Sequence, residues 1–229
     1  MNDLSIHADR TQPAIVHGNR EPWSASPEPG VERRMLERIG GEVALATSIV
    51  RYRAGSRFTA HTHELGEEFL VLEGTFCDER GHYPPGTYVR NPPGSRHAPF
   101  SESGCVIFVK LRQMNPADTL SLRLFPGDRA WTPNPVPGHD RAMLYNANGV
   151  SVHLERLAAG MTIASRRNPG GEEVFVVEGS IRVRDAAGTF LDTWGWMRHA
   201  SGVETEFSSP RGALLWIKRG HLAGGARES

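Results

Sequence analysis

Gly55 to Gly74 reads GSRFTAHTHELGEEFLVLEG, and Gly86 to His97 reads GTYVRNPPGSRH. In the first stretch Gly55, His61, His63, Glu67 and Gly74 fall in the spacing G-x5-H-x-H-x3-E-x6-G. In the second, Gly86, Pro92, Gly94 and His97 give G-x5-P-x-G-x2-H. Side chains of a strand alternate between its faces, so His61 and His63 project to one side, roughly 6–7 Å apart along the chain and within reach of one ion. Glu67 shares their parity provided no bulge intervenes, and it opens the short apolar run Glu68-Phe69-Leu70-Val71-Leu72 of a buried strand. Neutral imidazole suits Zn, Cu, Fe and Ni, and a carboxylate adds a harder, anionic donor. Three neutral nitrogens and one carboxylate leave a divalent ion near one positive charge, so an anion or enolate fits its remaining positions. The spacing predicts one mononuclear divalent metal ion (Fe, Zn, Ni or Mn) per chain, held by His61, His63, Glu67 and His97.

His7, His17, His82, His139, His153, His199 and His221 have no such frame and read as ordinary surface or core residues. By parity, the neighbours of the site are Arg51, Arg53, Phe69, Val71 and Lys110.

Both segments resemble cupin motifs, and their wording is similar to the cupin-like domain of the anti-sigma factor ChrR. The likeness is carried by SIVRYRAGSRF before the histidines, by GEEFLVLEG, and by YPPGTYVRNPPGSRHAPF with CVIFVKLRQ after it. Ser101 stands where the cupin pattern often has Asn. The resemblance implies an all-β fold of small jelly-roll (double-stranded β-helix) barrels, with His61, His63, Glu67 and His97 as metal ligands.

A second copy follows the first. Trp23, Pro27, Pro29, Gly30, Arg33, Met35 and Leu36 recur 108 residues on as Trp131, Pro135, Pro137, Gly138, Arg141, Met143 and Leu144. GEEFLVLEG recurs 105 on as GEEVFVVEG, and VIFVKLR recurs 107 on as ALLWIKR. A tandem duplication is therefore expected, with units over residues 1–118 and 119–229 and two tandem cupin barrels, each sheet closing on itself to protect its edges. Val31, Met35, Leu36 and Ile39 have a helix-like spacing, but the second copy does not keep it, so extended structure is expected in both. Short Val/Ile/Phe/Leu runs between YPPG, NPPG and NPGG turns keep the all-β rhythm, which accounts for the 25 glycines and 16 prolines.

The second copy carries Arg166, Asn168 and Thr205 in place of His61, His63 and His97, while Glu172 answers Glu67. Arginine is always protonated and has no lone pair for a metal. A metal-free supporting barrel is expected, with an Arg166–Glu172 ion pair inside it.

The 26 basic and 26 acidic residues balance, so no basic field for nucleic acid is expected. MNDLSIHADR lacks the order of a secretory signal, and apolar runs of about five residues fall short of a bilayer span. Cys77 and Cys105 make no disulfide framework and read as interior thiols in a reduced, cytoplasmic protein. The first twenty residues read as loosely ordered, and the Pro-rich stretch before Val31 suggests an arm that crosses to a second subunit of a homodimer.

Three functional classes compete for the metal. A dioxygenase-like enzyme acting on a small anionic or enolisable substrate ranks first, because a His-rich site with a carboxylate is of the open kind. A non-catalytic ligand- or redox-sensing module, as the ChrR likeness implies, ranks second. Anti-sigma activity itself is not expected, since the amino-terminal region lacks the cysteines of ChrR's zinc-binding domain. A stability-only metal ranks third.

Overall fold

The structure, a computed structural model, describes residues 4–41 and 43–222. Strands make up nearly all its regular structure, and among the described residues the one helical element is the 3-10 turn Pro126–Asp128. Among the described residues no helix is long and apolar enough to cross a membrane.

The chain divides into two compact units. One runs through Ala8 and resumes over Glu21–Asp128; the other comprises Asp9–Arg20 and the chain from Arg129 onward. This departs from a division at residue 118, and strand pairing is the reason. Leu122–Leu124 pairs antiparallel with Tyr88–Asn91, and Ala14–His17 pairs antiparallel with Gly195–His199. The two lead strands stand 108 residues apart, like the strands they join, so each repeat's lead strand sits in the other repeat's sheet. The early stretch is therefore ordered at Ser5–Ile6 and Ala14–His17, and its arm pairs within its own chain.

Each unit is a jelly roll. In the first, a large sheet runs Ser5–Ile6, Val31–Ile39, Leu45–Tyr52, Cys105–Leu111, Glu67–Gly74, Tyr88–Asn91, Leu122–Leu124. A four-stranded sheet of Gly81–Tyr83, Phe76–Asp78, Phe100–Ser101 and Ser56–Arg57 completes the sandwich. The core lies between them. Phe69, Val71, Val89, Ile107 and Val109 of the large sheet meet Phe76 and Tyr83 of the small one, with the Phe69 and Phe76 rings 4.5 Å apart. The second unit repeats this core with Val174, Val176, Met197, Leu215 and Ile217 against Ile163 and Phe207.

The expectation of sheets closed into barrels is corrected: the ladders have free ends in both units. Open edges are protected in other ways. The first unit's large sheet ends in strands of two and three residues, and the second unit's in Trp131–Pro133, whose proline has no amide to offer a new strand.

Val31–Ile39 is a strand, and a bulge explains its helix-like spacing. Met35 pairs with Ser48 and Glu37 with Thr47, leaving Leu36 as the extra, fully buried residue. Its counterpart Leu144 is extra in the same way between Met143 and Tyr145. One inserted residue flips the later side chains to the other face, so period two is lost in the sequence although the strand persists. The ladders also revise the offset of the last strand. Cys105 faces Gly74 as Ala213 faces Gly179, so CVIFVKL answers ALLWIKR at 108 rather than 107.

Candidate metal centre

The site grows from a turn. His61–His63 pairs with Ser95–His97 in a separate two-stranded ladder that sets His97 opposite His61. The chain then turns through Glu64 and Leu65 to Gly66 at φ +77°, and the strand Glu67–Gly74 begins in the large sheet. Common parity is thus not what joins Glu67 to the histidines; tertiary packing across two ladders is. Gly74 ends that strand where a Cβ would lie 2.0 Å from the Gly104 carbonyl oxygen, and its counterpart Gly179 is as tightly placed. This motif glycine therefore serves the fold, with or without a metal.

The three imidazoles converge. Their rings lie 4.7 to 5.2 Å apart, and one nitrogen of each of His61, His63 and His97 falls within 4.8 Å of the others. Nε2 of His63 and Nε2 of His97 are 2.9 Å apart. Glu67 Oε2 lies 3.4 Å from the first and 3.5 Å from the second. His63, Glu67 and His97 are buried, whereas His61 is partly exposed with Phe58 4.8 Å from its ring, so His61 marks the accessible side. Three histidines with converging nitrogens and an adjacent carboxylate are a donor set for a divalent transition metal.

Other polar groups orient these donors. His61 Nδ1 lies 2.8 Å from the Thr59 carbonyl, and His97 Nδ1 lies 3.3 Å from Asp78 Oδ2. Donation from Nδ1 leaves the Nε2 lone pair for an ion. Asp78 Oδ1 accepts the Tyr83 hydroxyl at 2.9 Å, and Glu67 Oε2 accepts Asn91 Nδ2 at 2.9 Å. Arg123 joins the two branches, with Nε 3.3 Å from the Tyr83 hydroxyl oxygen and Nη2 2.9 Å from Asn91 Oδ1.

Burial lowers the His63 pKa, with Glu67 opposing and the other two imidazoles adding to the effect. Burial also acts to lower His97, but Asp78 and Glu67 outweigh it and its pKa is raised. Burial would raise Glu67, yet His63, His97 and the Asn91 hydrogen bond hold it below the usual carboxylate range.

All four sequence-predicted residues thus come together, although the three-histidine cluster is tighter than the contact with Glu67. Of the neighbours inferred from parity, Arg51, Arg53 and Lys110 are engaged elsewhere, while the Phe69 ring lies 4.5 Å from that of Phe76, which is 6.1 Å from the His97 ring. Arg51 and Arg53 bind Glu32, the Lys110 ammonium donates to Thr47 Oγ1 at 2.8 Å, and Phe69 and Val71 belong to the core. A bulge at Leu72, between Glu73 and Val71, is one reason parity misleads here. Leu111 faces Glu67 instead. Asp78, Tyr83, Asn91 and Arg123 lie outside the ligand spacing, and only position-by-position comparison of the two copies singles them out. Both cysteines are buried and free, and burial pushes Cys105 up to about 12.

In the second unit Arg166 faces Thr205 as His61 faces His97. The expected ion pair is present: Arg166 Nη2 lies 2.8 Å and Nε 3.1 Å from Glu172 Oε2. Thr205 Oγ1 donates to Glu172 Oε1 at 3.1 Å. Sequence reasoning missed Arg219, whose Nε is 2.6 Å from Glu172 Oε2, and the buried Glu155. Glu155 gathers Arg141 at 2.8 Å, His153 at 3.0 Å, His139 at 3.1 Å and Arg219 at 3.3 Å. This charged interior stands at the positions that His61, His63, His97 and Glu67 take in the first unit.

Two tandem jelly rolls, one with a three-histidine cup, define a protein of the cupin superfamily with a duplicated cupin unit. The chain belongs to the family of the ChrR cupin-like domain, whose model matches residues 11–115 and again 122–223. No curated protein matches the sequence. Among solved structures, it is similar to a Nostoc punctiforme protein provisionally described as a dioxygenase (15% identity, 94% of this chain and 85% of that one, TM-score 0.73). Others are the Escherichia coli pirin YhhW in complex with nickel(II) (13%, 91% and 98%, 0.68) and salicylate 1,2-dioxygenase from Pseudaminobacter salicylatoxidans (13%, 92% and 85%, 0.61). At these identities the likeness concerns the fold.

Proposed function

We propose that the first unit is a metal-dependent, dioxygenase-like enzyme with one divalent ion per chain on His61, His63, His97 and Glu67, acting on a small anionic or enolisable substrate. The convergence of three imidazole nitrogens within 4.8 Å of one another carries the reading. A bound divalent ion would supply Lewis acidity and open positions for substrate and O2. The chain's part is to hold three imidazoles and one carboxylate in place. Glu67 offsets one charge, leaving the centre cationic and suited to an anionic substrate. His61 and Phe58 stand at the accessible side, with their rings 4.8 Å apart. The provisional and established dioxygenases among the fold relatives support this class, and the nickel-bound pirin supports metal binding on the same scaffold.

A second reading, a ligand- or redox-sensing module, is favoured by the ChrR family membership. Elemental analysis of anaerobically purified protein, followed by O2 uptake with 2-oxo acids and 1,3-diketones, separates them. Bound iron with substrate-dependent O2 consumption supports the enzyme; redox-inert zinc without turnover supports the sensor. No bound metal under any loading condition refutes both.

A further inference from the structure

The two copies act as an internal control for the groups around the cup. Strand registers equate Asp78 with Val183, Tyr83 with Leu191, Asn91 with His199 and Arg123 with Ile15. Three of these four polar residues are aliphatic in the copy that lacks the ligands, and Leu191, Val183 and Ile15 there join or pack against the apolar core. The fold is satisfied by apolar residues at these places, so the polar set in the first unit answers to something else. What it touches is His97 and Glu67.

Direction matters as much as contact. A guanidinium only donates hydrogen bonds. Arg123 Nε can therefore meet the Tyr83 oxygen only as donor, which turns the tyrosine proton toward Asp78 and leaves Asp78 Oδ2 to accept from His97 Nδ1. Arg123 Nη2 likewise engages Asn91 Oδ1, which turns the amide nitrogen toward Glu67 Oε2. One cation thus sets the sense of both branches, one ending on an imidazole and the other on the carboxylate.

Arg123 comes from an unexpected part of the chain. It lies on Leu122–Leu124, the lead strand of the second repeat, and the second family-model segment opens at residue 122. We propose that Arg123 is a positioning residue for the metal centre, and that the second repeat, itself without metal donors, completes the first repeat's site by supplying it. The proposal rests on the metal reading above.

The test uses full-length protein and Co2+ as probe, with affinity measured by chelator competition and geometry by the visible spectrum of the bound ion. Arg123→Met removes the donor fork, and Tyr83→Phe removes one hydroxyl from the His97 branch. Arg184→Met breaks an exposed ion pair with Glu206 in the second unit and serves as the control. Support around ligands typically governs metal affinity by 10–100-fold. The expected result is Co2+ binding at least about tenfold weaker, with an altered spectrum, in Arg123→Met and Tyr83→Phe, and no change in Arg184→Met. Folded Arg123→Met that binds within twofold of wild type with the same spectrum overturns the proposal. If Arg123→Met does not fold, Tyr83→Phe decides by the same criteria. Wild type that takes up no Co2+ overturns the metal reading and this proposal with it, whereas binding by wild type and variant alike overturns this proposal alone.

Discussion

Replacing Arg166 and Arg219 by methionine, singly and together, probes how the second unit keeps carboxylates in its interior. Glu172 and Glu155 have no exposed surface. They face three guanidiniums, those of Arg141, Arg166 and Arg219. Arg166→Met removes two hydrogen bonds from Glu172 but leaves Arg219 Nε 2.6 Å away. The expected cost is about 1.5–3 kcal/mol, the range for hydrogen bonds to a charged group. That is less than the roughly 3–5 kcal/mol for a buried charge stripped of its partner. Arg219→Met leaves Arg166 on Glu172 but also removes the Arg219 hydrogen bond to Glu155, so its loss is at least as large. The arginine side chains are 21% and 17% exposed, so solvent screens part of each attraction. Together the substitutions leave Glu172 with Thr205 alone, and the loss exceeds the sum of the singles by about 1–2 kcal/mol. Acid gives an independent readout. In wild type, burial pushes the Glu172 carboxyl up, but Arg166 and Arg219 outweigh it and hold it below its usual value of 4.5. Its stabilising contribution is present above that unfolded value and is lost as pH falls through the lower folded one. In the double variant burial acts without those arginines and the folded pKa is raised. Stability then falls as pH rises through the folded value, so the double variant gains stability on going from pH 8 to 5. Urea unfolding followed through the buried Trp196 and Trp216 measures both effects. Single losses under about 0.5 kcal/mol, or a double variant that is additive and insensitive to pH, would refute the reasoning.

Elemental analysis is expected to find one metal per chain and none after His61 and His63 are both replaced by Ala; two tightly held ions would contradict this. Metal affinity should weaken as pH falls, because ligand imidazoles must be neutral. Since His97 is raised from 6.5, the loss begins above that value, and titrations flat from pH 8 to 5 would rule the ligand set out. Asp78→Asn removes the carboxylate facing His97 Nδ1 and should weaken metal binding about 10–100-fold, a chelator-competition measurement that an unchanged Kd would contradict. Phe76→Ala empties a fully buried site between the sheets and should cost about 3–5 kcal/mol in urea unfolding; a loss under 1 kcal/mol, far outside that range, would mean the sandwich core lies elsewhere.

The amino-acid sequence by itself determined what depends on neighbours along the chain. Gly74, at a strand end, and Gly179, within Glu172–Val183, mark places that admit no side chain, and the short apolar runs between Gly/Pro turns announce strands. The spacing of His61, His63, Glu67 and His97 names the donors, and Arg166 opposite Glu172 names what replaced them. Comparing the copies also corrected the helix-like stripe of Val31–Ile39, although not its cause. Only the tertiary structure decided what depends on register between distant strands. The bulge at Leu36 resets the faces of later residues in Val31–Ile39, and the bulge at Leu72 does so in Glu67–Gly74, which defeated parity at Arg51 and Lys110. The exchange of Ala14–His17 and Leu122–Leu124 moved the division between units and delivered Arg123 to the Tyr83–Asn91 pair. Glu155, with His139, His153 and Arg219 around it, likewise comes together from three separate strands. Local spacing repeats with the geometry of one strand and can be read from one strand. Hydrogen-bonded branches that run across three ladders have no period in the chain, because their members are chosen by pairing partners far apart in sequence.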